Sequence, residues 1–309
     1  MKSYLLRRAV QSLVVLFGVL TMVFVLVQLT GDPMAMMVPG DMGAEDMARM
    51  REAFGLDGPL FVRYVRFISR SVVGDFGISF RYRLPAMGLV IERLPATLEL
   101  GLTALVIGIA SGVFLGVAAA TRHNTWLDNV TMVFALVGQA TPHFWLGIMA
   151  MLVFSVKLNL LPTHGRGGIE HLVLPALALS MGAMARFARL TRSSMLEVLS
   201  QDYVRTARSF GFSERIVVYR YALRNALISP LTFVGLEAGH LLGGAVVVET
   251  VFSWPGMGRL AIQSILARDY PVVLATVFLV ALAYVIANLA VDVLYSAVDP
   301  RLSVSSGKE

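Results

Sequence analysis

Cysteine is absent from all 309 residues, which excludes disulfide staples, thiolate metal sites and cysteine nucleophiles together. Lysine is scarce: of 26 basic residues, 23 are arginine and only Lys2, Lys157 and Lys308 are lysine. None of the three follows the glycines of a Gly-x-x-x-x-Gly-Lys-Ser/Thr loop, so the chain cannot bind ATP in that way. His-Glu-x-x-His and Gly-x-Ser-x-Gly are missing too, and His123, His143, His164, His171 and His240 do not fall at metal-ligand spacings. No catalytic residue, metal site or cofactor is expected. There is no solenoid-length repeat and no low-complexity run. Charge is also sparse, at 15% of residues against 57% hydrophobic, which argues for a membrane protein over two soluble domains. A net charge of +6 raises nucleic acid as a partner, but the arginines cluster beside apolar runs. Positive-inside topology explains that placement better, so the expected partner is the lipid bilayer and not nucleic acid.

What is present is a series of apolar runs. Ala9 to Leu29, preceded by Lys2, Arg7 and Arg8, is long enough at about 1.5 Å per residue to cross a hydrocarbon core of roughly 30 Å. It is longer than a signal-peptide core and has no Ala-x-Ala-like cleavage site, so it reads as an uncleaved first span with its N-terminus inside. From Thr30 to about Pro95 the chain is mixed and polar, with turn signals at Gly31-Asp32-Pro33, Pro39-Gly40, Gly58-Pro59 and Gly74-Asp75. Short helices fit Gly43 to Phe54 and Leu60 to Val73. Five further spans are predicted at Leu98–Ala120, Val130–Ser155, Leu172–Leu190, Leu227–Val251 and Val272–Tyr295. The expected organisation is residues 1–30 as first span, 31–96 as an extracytoplasmic region, 97–296 as a five-helix core with a cytoplasmic loop at 192–226, and 297–309 as a tail.

Six spans from an inside N-terminus put both termini and the 192–226 loop on one side. Fourteen Lys/Arg fall there, among them the eight arginines from Arg186 to Arg224, against four in the short opposite loops. The eight in the long first loop count little toward the rule, so the asymmetry supports N-in, C-in. Arg186 and Arg189, inside the nominal fourth span, must snorkel or mark where it leaves the bilayer.

The longest polar interval of the second half is Asp202 to Asn225. Tyr203, Ala207 and Phe210 fall at i, i+4 and i+7, which predicts a helix with an apolar stripe and Arg205 and Arg208 off it. Gly211 interrupts, and Ser213 reads as the N-cap of a second helix through Ile216, Val217 and Leu223. On pattern alone, an amphipathic basic loop held by anionic lipid is an equal reading.

Within the spans, Gly108, Gly112 and Gly116, and again Gly235, Gly239 and Gly243, recur every fourth residue, a spacing that lets helix backbones approach closely. Glu237 and His240 lie three apart in the fifth span, with Glu237 nearly opposite the glycine stripe. Facing lipid would be costly, so Glu237 is expected to face another subunit or an aqueous path, making Glu237 and His240 candidates for lining it. The competing reading is a protonated or hydrogen-bonded structural pair. Asn288 and Asp292 are similar but nearer the inside end. Pro142 should kink or break the third span.

The order of motifs resembles a known family. Asp202-Tyr-Val-Arg-Thr-Ala-Arg-Ser-Phe-Gly-Phe-Ser-Glu-Arg, followed by Tyr221-Ala-Leu-Arg-Asn-Ala, resembles the cytoplasmic signature of binding-protein-dependent ABC importer permeases of the dipeptide/oligopeptide/nickel branch. Gly31-Asp-Pro, Phe54-Gly-Leu-Asp-Gly-Pro-Leu with Tyr64, Gly74-Asp-Phe-Gly-Ile-Ser, Arg93-Leu-Pro-Ala-Thr-Leu, Glu249-Thr-Val-Phe-Ser-Trp-Pro-Gly-Met-Gly-Arg and Asp299-Pro-Arg match in order. The broader superfamily opens Glu-Ala-Ala where this chain has Arg205-Thr206-Ala207, and ends Ile-x-Leu-Pro where it has Tyr221-Ala222-Leu223-Arg224; Gly211 holds the glycine place.

That resemblance implies an all-α membrane protein with the MetI-like ABC importer permease fold, in the inner membrane of a bacterium. It implies a non-catalytic first permease subunit that pairs with a second, homologous one. Two separate ATP-binding subunits would dock on Tyr203, Arg205, Thr206, Ala207, Phe210 and Gly211. An extracytoplasmic solute-binding protein would deliver the peptide, nickel chelate or glutathione, with Trp254-Pro255-Gly256 near the mouth that faces it. The alternatives from other classes are an intramembrane enzyme using Glu237 and His240, and a non-transporting membrane scaffold.

Overall fold

In lipid a backbone N–H or C=O without a partner costs several kcal/mol, and a helix pairs nearly all of them within one segment. The computed structural model, which describes residues 2–29 and 58–298, follows that rule. Among the described residues the chain is helical apart from turns and one isolated bridge between Ile78 and Pro85. In order the helices are α1 (Lys2–Leu29), α2 (Leu60–Val72), α3 (Ala86–Thr121), α4 (Trp126–Ala140) and α5 (His143–Ala150), which continues as a π-helical turn over Met151–Lys157. Then come α6 (Ile169–Leu199), α7 (Asp202–Ser209), α8 (Glu214–Ile216) with a second π-helical turn over Val217–Ala222, α9 (Leu223–Ala226), α10 (Ile228–Val251), α11 (Met257–Leu266) and α12 (Tyr270–Val298). The expected helix at Gly43–Phe54, the motifs at Gly31-Asp32-Pro33, Phe54–Asp57 and Asp299-Pro300-Arg301, and the side chains of Lys2, Arg7, Arg8 and Asp292 lie outside what is described.

By length and composition α3, α6 and the Tyr270–Leu289 part of α12 can each cross a membrane, and two bent helix pairs raise the count to five if each is one crossing. Three boundaries differ from expectation. α3 starts at Ala86, not Leu98, and holds Pro95 inside it, since a proline forfeits one i to i−4 bond that so long a helix tolerates. α6 runs to Leu199, past the expected Leu190, so residues 192–199 are helix and not loop. The third span breaks at Thr141-Pro142, where α4 and α5 meet at 104° with both junction residues extended.

The described chain sorts into two compact units. The first holds residues 2–29, 58–96 and 256–286. Its core packs Leu20, Phe76, Ala86, Val90, Met257, Leu260, Val272 and Ala275 together. Asp269, buried just before α12, accepts from Ser79 Oγ (2.5 Å) and from the backbone N–H groups of Phe80 (3.1 Å) and Arg81 (3.3 Å), which pins the turn before α3.

The second unit holds residues 97–255 and 287–298, and α6 is its centre. α6 packs against α4, α5, α9 and α10, and its apolar window is 61% buried where that of α12 is 17% buried. α3 joins it along the glycine row. A Cβ at Gly108 would lie 2.7 Å from Ala183 Cβ, at Gly112 2.6 Å from both Met184 O and Phe187 Cβ, and at Gly116 2.6 Å from Ala188 O. The spacing of four therefore marks a true backbone contact, because those distances leave no room for any side chain. At Gly243, in the other row, a Cβ would meet nothing within 4 Å.

Gly112→Ala is expected to lower thermal stability in detergent by about 1–3 kcal/mol, the usual cost of overpacking. Gly101→Ala in the same helix, where a Cβ meets nothing within 4 Å, should be neutral or stabilising. Melting curves followed by size-exclusion of the tagged chain check the contrast, and equal melting of the two variants would contradict the packing.

Candidate functional site

The polar interval folds as a short helix, a tight stop and a second helix. α7 is seated on its own chain by Val204 and Ala207, which are buried with Val217 and packed against Val198, Leu199 and Tyr221. Gly211 then ends it with φ +80, a conformation that L side chains rarely adopt. The N–H of Phe212 donates to Ala207 O at 3.4 Å and that of Gly211 to Arg208 O at 2.9 Å, the bond pair of a Schellman stop. Phe212 packs on Tyr221 with ring centroids 5.6 Å apart, and Arg208 bridges the turn to Glu214 at 2.8 Å. Ser213 does begin the next helix, through its carbonyl accepting from Val217 N–H at 3.0 Å, and without a side-chain cap. Asn225 Nδ2 donates to Tyr203 Oη at 2.8 Å, tying α9 back to α7.

The predicted stripe of Tyr203, Ala207 and Phe210 is thus divided. Ala207 faces inward, with Val204 as its partner and not the two aromatics. Tyr203 is 42% exposed and Phe210 77% exposed, so both project away from the chain's own core. Arg205 and Thr206 are exposed beside them. The helical period was right, but the residue that completes the inward face is the β-branched Val204 at the i−3 position from Ala207. α7 follows α6 directly, and α6 is fixed to its neighbours by charge.

Arg186 on α6 donates from Nε and Nη2 to the two carboxylate oxygens of Glu237 on α10, at 2.7 and 2.5 Å. The Glu237 side chain is fully buried while that of Arg186 is 25% exposed. Glu237 therefore faces Arg186 of its own chain and not another subunit or water. It does not pair with His240, which is exposed. Arg186 turns inward to an anion and does not snorkel. His143, the first residue after the break, sits beside this pair: its Nδ1 lies 3.2 Å from Ala178 O, and a Cβ on Gly182 would be 3.0 Å from His143 Cε1 and 3.2 Å from Arg186 Nη2.

Six residues later, Arg192 repeats the arrangement with Asp128 of α4, at 2.6 Å from Nε and 2.8 Å from Nη2. His123 Nδ1 and the Asn124 N–H, each 3.1 Å away, complete the Asp128 site. Sequence reasoning missed this cluster and missed Arg186 as the partner of Glu237. The available signal was that arginines in an apolar helix need anions; nothing local says which anions. Glu249, also buried, accepts from Thr97 Oγ1 at 2.6 Å, and Trp254 is buried with Arg166 over its ring at 5.9 Å. Among the described residues no group of three or more His, Asp or Glu side chains could hold a metal ion.

Comparison with known proteins gives the family and the fold. Residues 112–304 match the family described as "Binding-protein-dependent transport system inner membrane component", and residues 1–101 match its N-terminal companion. The glutathione transport system permease protein GsiC of Escherichia coli (strain K12) and that of Salmonella typhi are each 42% identical over 303 residues, covering 98% of this chain and 99% of the relative. Among solved structures, an inward-facing conformation of the MetNI methionine ABC transporter aligns with TM-score 0.58 at 20% identity, over 69% of this chain and 97% of that one. At that identity the likeness speaks for the fold alone.

Breaking one partner of a buried ion pair leaves an uncompensated charge, so Arg186→Leu and Glu237→Leu are each expected to destabilise by about 3 kcal/mol or more. The double variant should recover a large part of that loss. A thermal double-mutant cycle in detergent reads the coupling; additive losses would mean the two side chains do not act as a pair.

Proposed function

The chain belongs to the binding-protein-dependent inner membrane component family of ABC importers, and from that membership we propose how it is oriented, what drives it and what it carries. It is a multi-pass, non-catalytic permease subunit with the MetI-like fold, whose ATPase and solute-binding partners are separate proteins. In our reading it crosses the membrane six times with both termini in the cytoplasm, taking α1 as the first span and each bent pair as one crossing. A second, homologous permease completes the pathway, and two ATP-binding subunits supply the energy.

The observation that carries the coupling role is the division of α7. Val204 and Ala207 hold it to the chain's own core, while Tyr203, Arg205, Thr206 and Phe210 stand exposed in front of a left-handed stop at Gly211. A helix fixed from behind with exposed aromatics is suited to insertion into a cleft of a partner protein. The ATPase cleft is the occupant we propose. Its closure would push α7, and α6 would pass the displacement to α10 and α4 through Arg186–Glu237 and Arg192–Asp128. ATP has to favour one permease state over another for this to produce net movement. His240 on α10 is the pathway-lining candidate we retain; Glu237 contributes there through Arg186, whose side chain keeps some exposure. The cargo we propose is peptide-like, in keeping with the glutathione permeases among its relatives.

Gly211→Pro is expected to leave membrane insertion intact and to uncouple ATP hydrolysis from uptake, lowering transport per ATP by a factor on the order of 10. The measurement is paired ATPase and uptake in the reconstituted complex, and normal uptake would refute the coupling assignment. Phe210→Ala should weaken co-purification of the ATPase without changing vesicle binding; the opposite pattern would favour the lipid-surface reading of this segment. Labelling of Ser209→Cys from the external medium would overturn the orientation. Candidate binding proteins, each added with its solute, test the cargo through stimulated ATP turnover.

A further inference from the structure

α7 carries three hydroxyls, on Tyr203, Thr206 and Ser209, and two of them are already committed. Thr206 Oγ1 donates to Asp202 O at 2.9 Å and Ser209 Oγ to Thr206 O at 2.8 Å, so each spends its one hydrogen on the helix's own backbone. Arg208 is likewise spent, on Glu214 at 2.8 and 3.4 Å. Tyr203 differs. Its Oη lies 2.8 Å from Asn225 Nδ2, and the same Nδ2 lies 3.2 Å from Tyr221 O.

The second contact fixes the direction of the first. A backbone carbonyl can only accept, so the Asn225 atom facing Tyr221 O is the amide nitrogen and not the amide oxygen. That nitrogen has two hydrogens, and with one on Tyr221 O the other is directed at Tyr203 Oη. An amide nitrogen cannot accept, so the bond does not run the other way. The phenol oxygen is therefore the acceptor, and its own hydrogen must point elsewhere. Among the described residues Tyr203 has no other hydrogen-bond partner, and it is 42% exposed. Asn225 thereby ties the ring to α9 and leaves the phenol hydrogen free for a partner.

We propose that Asn225 is a positioning residue for ATPase docking, which presents the Tyr203 hydroxyl as a hydrogen-bond donor to an acceptor, a carbonyl or a carboxylate, in the ATPase cleft. This role rests on α7 being the ATPase-docking segment proposed above.

Asn225→Asp separates this role from a structural tie. The aspartate keeps the size and the tether, but its carboxylate can only accept, so Tyr203 must donate to it and has no hydrogen left for the partner. Permease pairs carrying each variant are reconstituted in nanodiscs, and the ATPase subunits are titrated onto them. Tyr203→Phe and Asn225→Asp should each weaken ATPase binding roughly three- to tenfold if the acceptor is a carbonyl, and by more than about tenfold if it is a carboxylate. The double variant should bind no more weakly than Tyr203→Phe, because the same hydrogen is lost once in either case. Asn225→Ala leaves the hydrogen but frees the ring, and should fall between Asn225→Asp and the unmodified chain; normal binding there removes the positioning role. Undiminished binding by Asn225→Asp overturns the proposal. So does a further loss in the double variant, which would trace the effect to the added charge. Tyr203→Phe that melts early without the ATPase, yet binds it normally, would assign the hydroxyl to the chain's own fold and also overturn it. Phe210→Ala in the same titration keeps the two readings apart. Normal binding by it and by Tyr203→Phe sinks the docking segment itself, whereas a loss confined to Phe210→Ala sinks only the hydroxyl contact.

Discussion

A guanidinium inside an apolar helix must find an anion before that helix can pack among its neighbours. α6 meets this requirement twice, with Arg186 on Glu237 of α10 and Arg192 on Asp128 of α4. Each contact uses two guanidinium nitrogens on both oxygens of a buried carboxylate, which fixes direction as well as distance. A buried pair of this kind adds little net stability over apolar packing, but sliding α6 along α10 or α4 would strip a charge of its partner. The glycine row of α3 supplies the complementary constraint, bringing a third helix to backbone contact along the same α6.

That arrangement would give α7, for which we propose the coupling role, something stiff to push. α7 follows α6 within three residues, and the same Val198 and Leu199 that end α6 pack against Val204, Ala207 and Val217. Behind α7 the chain passes through a π-helical turn, Val217–Ala222, before α9 packs back on α6. Such turns interrupt the regular ladder and recur at functional sites. The break at Thr141-Pro142 is a further irregularity, and it brings His143 beside the Arg186–Glu237 pair.

Much of this was legible from local pattern. The apolar runs, the helix–glycine–helix form of the polar interval, the close packing of Gly108, Gly112 and Gly116 and the break at Pro142 all follow from residue type and spacing. Ends of elements were less legible: Pro95 and Arg192 both looked like boundaries, yet α3 and α6 run through them. The spacing gave α7 an apolar stripe but not which of its residues the chain's own core takes. Tyr203 and Phe210 have the larger apolar bodies, but Val204 reaches Val217, and only the fold supplies Val217.

The sequence by itself determined that this is a helical membrane protein with no cysteine and no Gly-x-x-x-x-Gly-Lys-Ser/Thr loop, because those conclusions need only composition, run length and motif search. Its motif order also carried the family, through short-range patterns that need no folding. The tertiary structure alone decided which anions Arg186 and Arg192 meet, which helix the α3 glycine row touches and which side of α7 is exposed. Those are contacts between residues 51 and 64 positions apart along the chain, as in Arg186–Glu237 and Arg192–Asp128. A periodicity of 3.6 says which residues share a face of one helix and carries no information about what that face will touch.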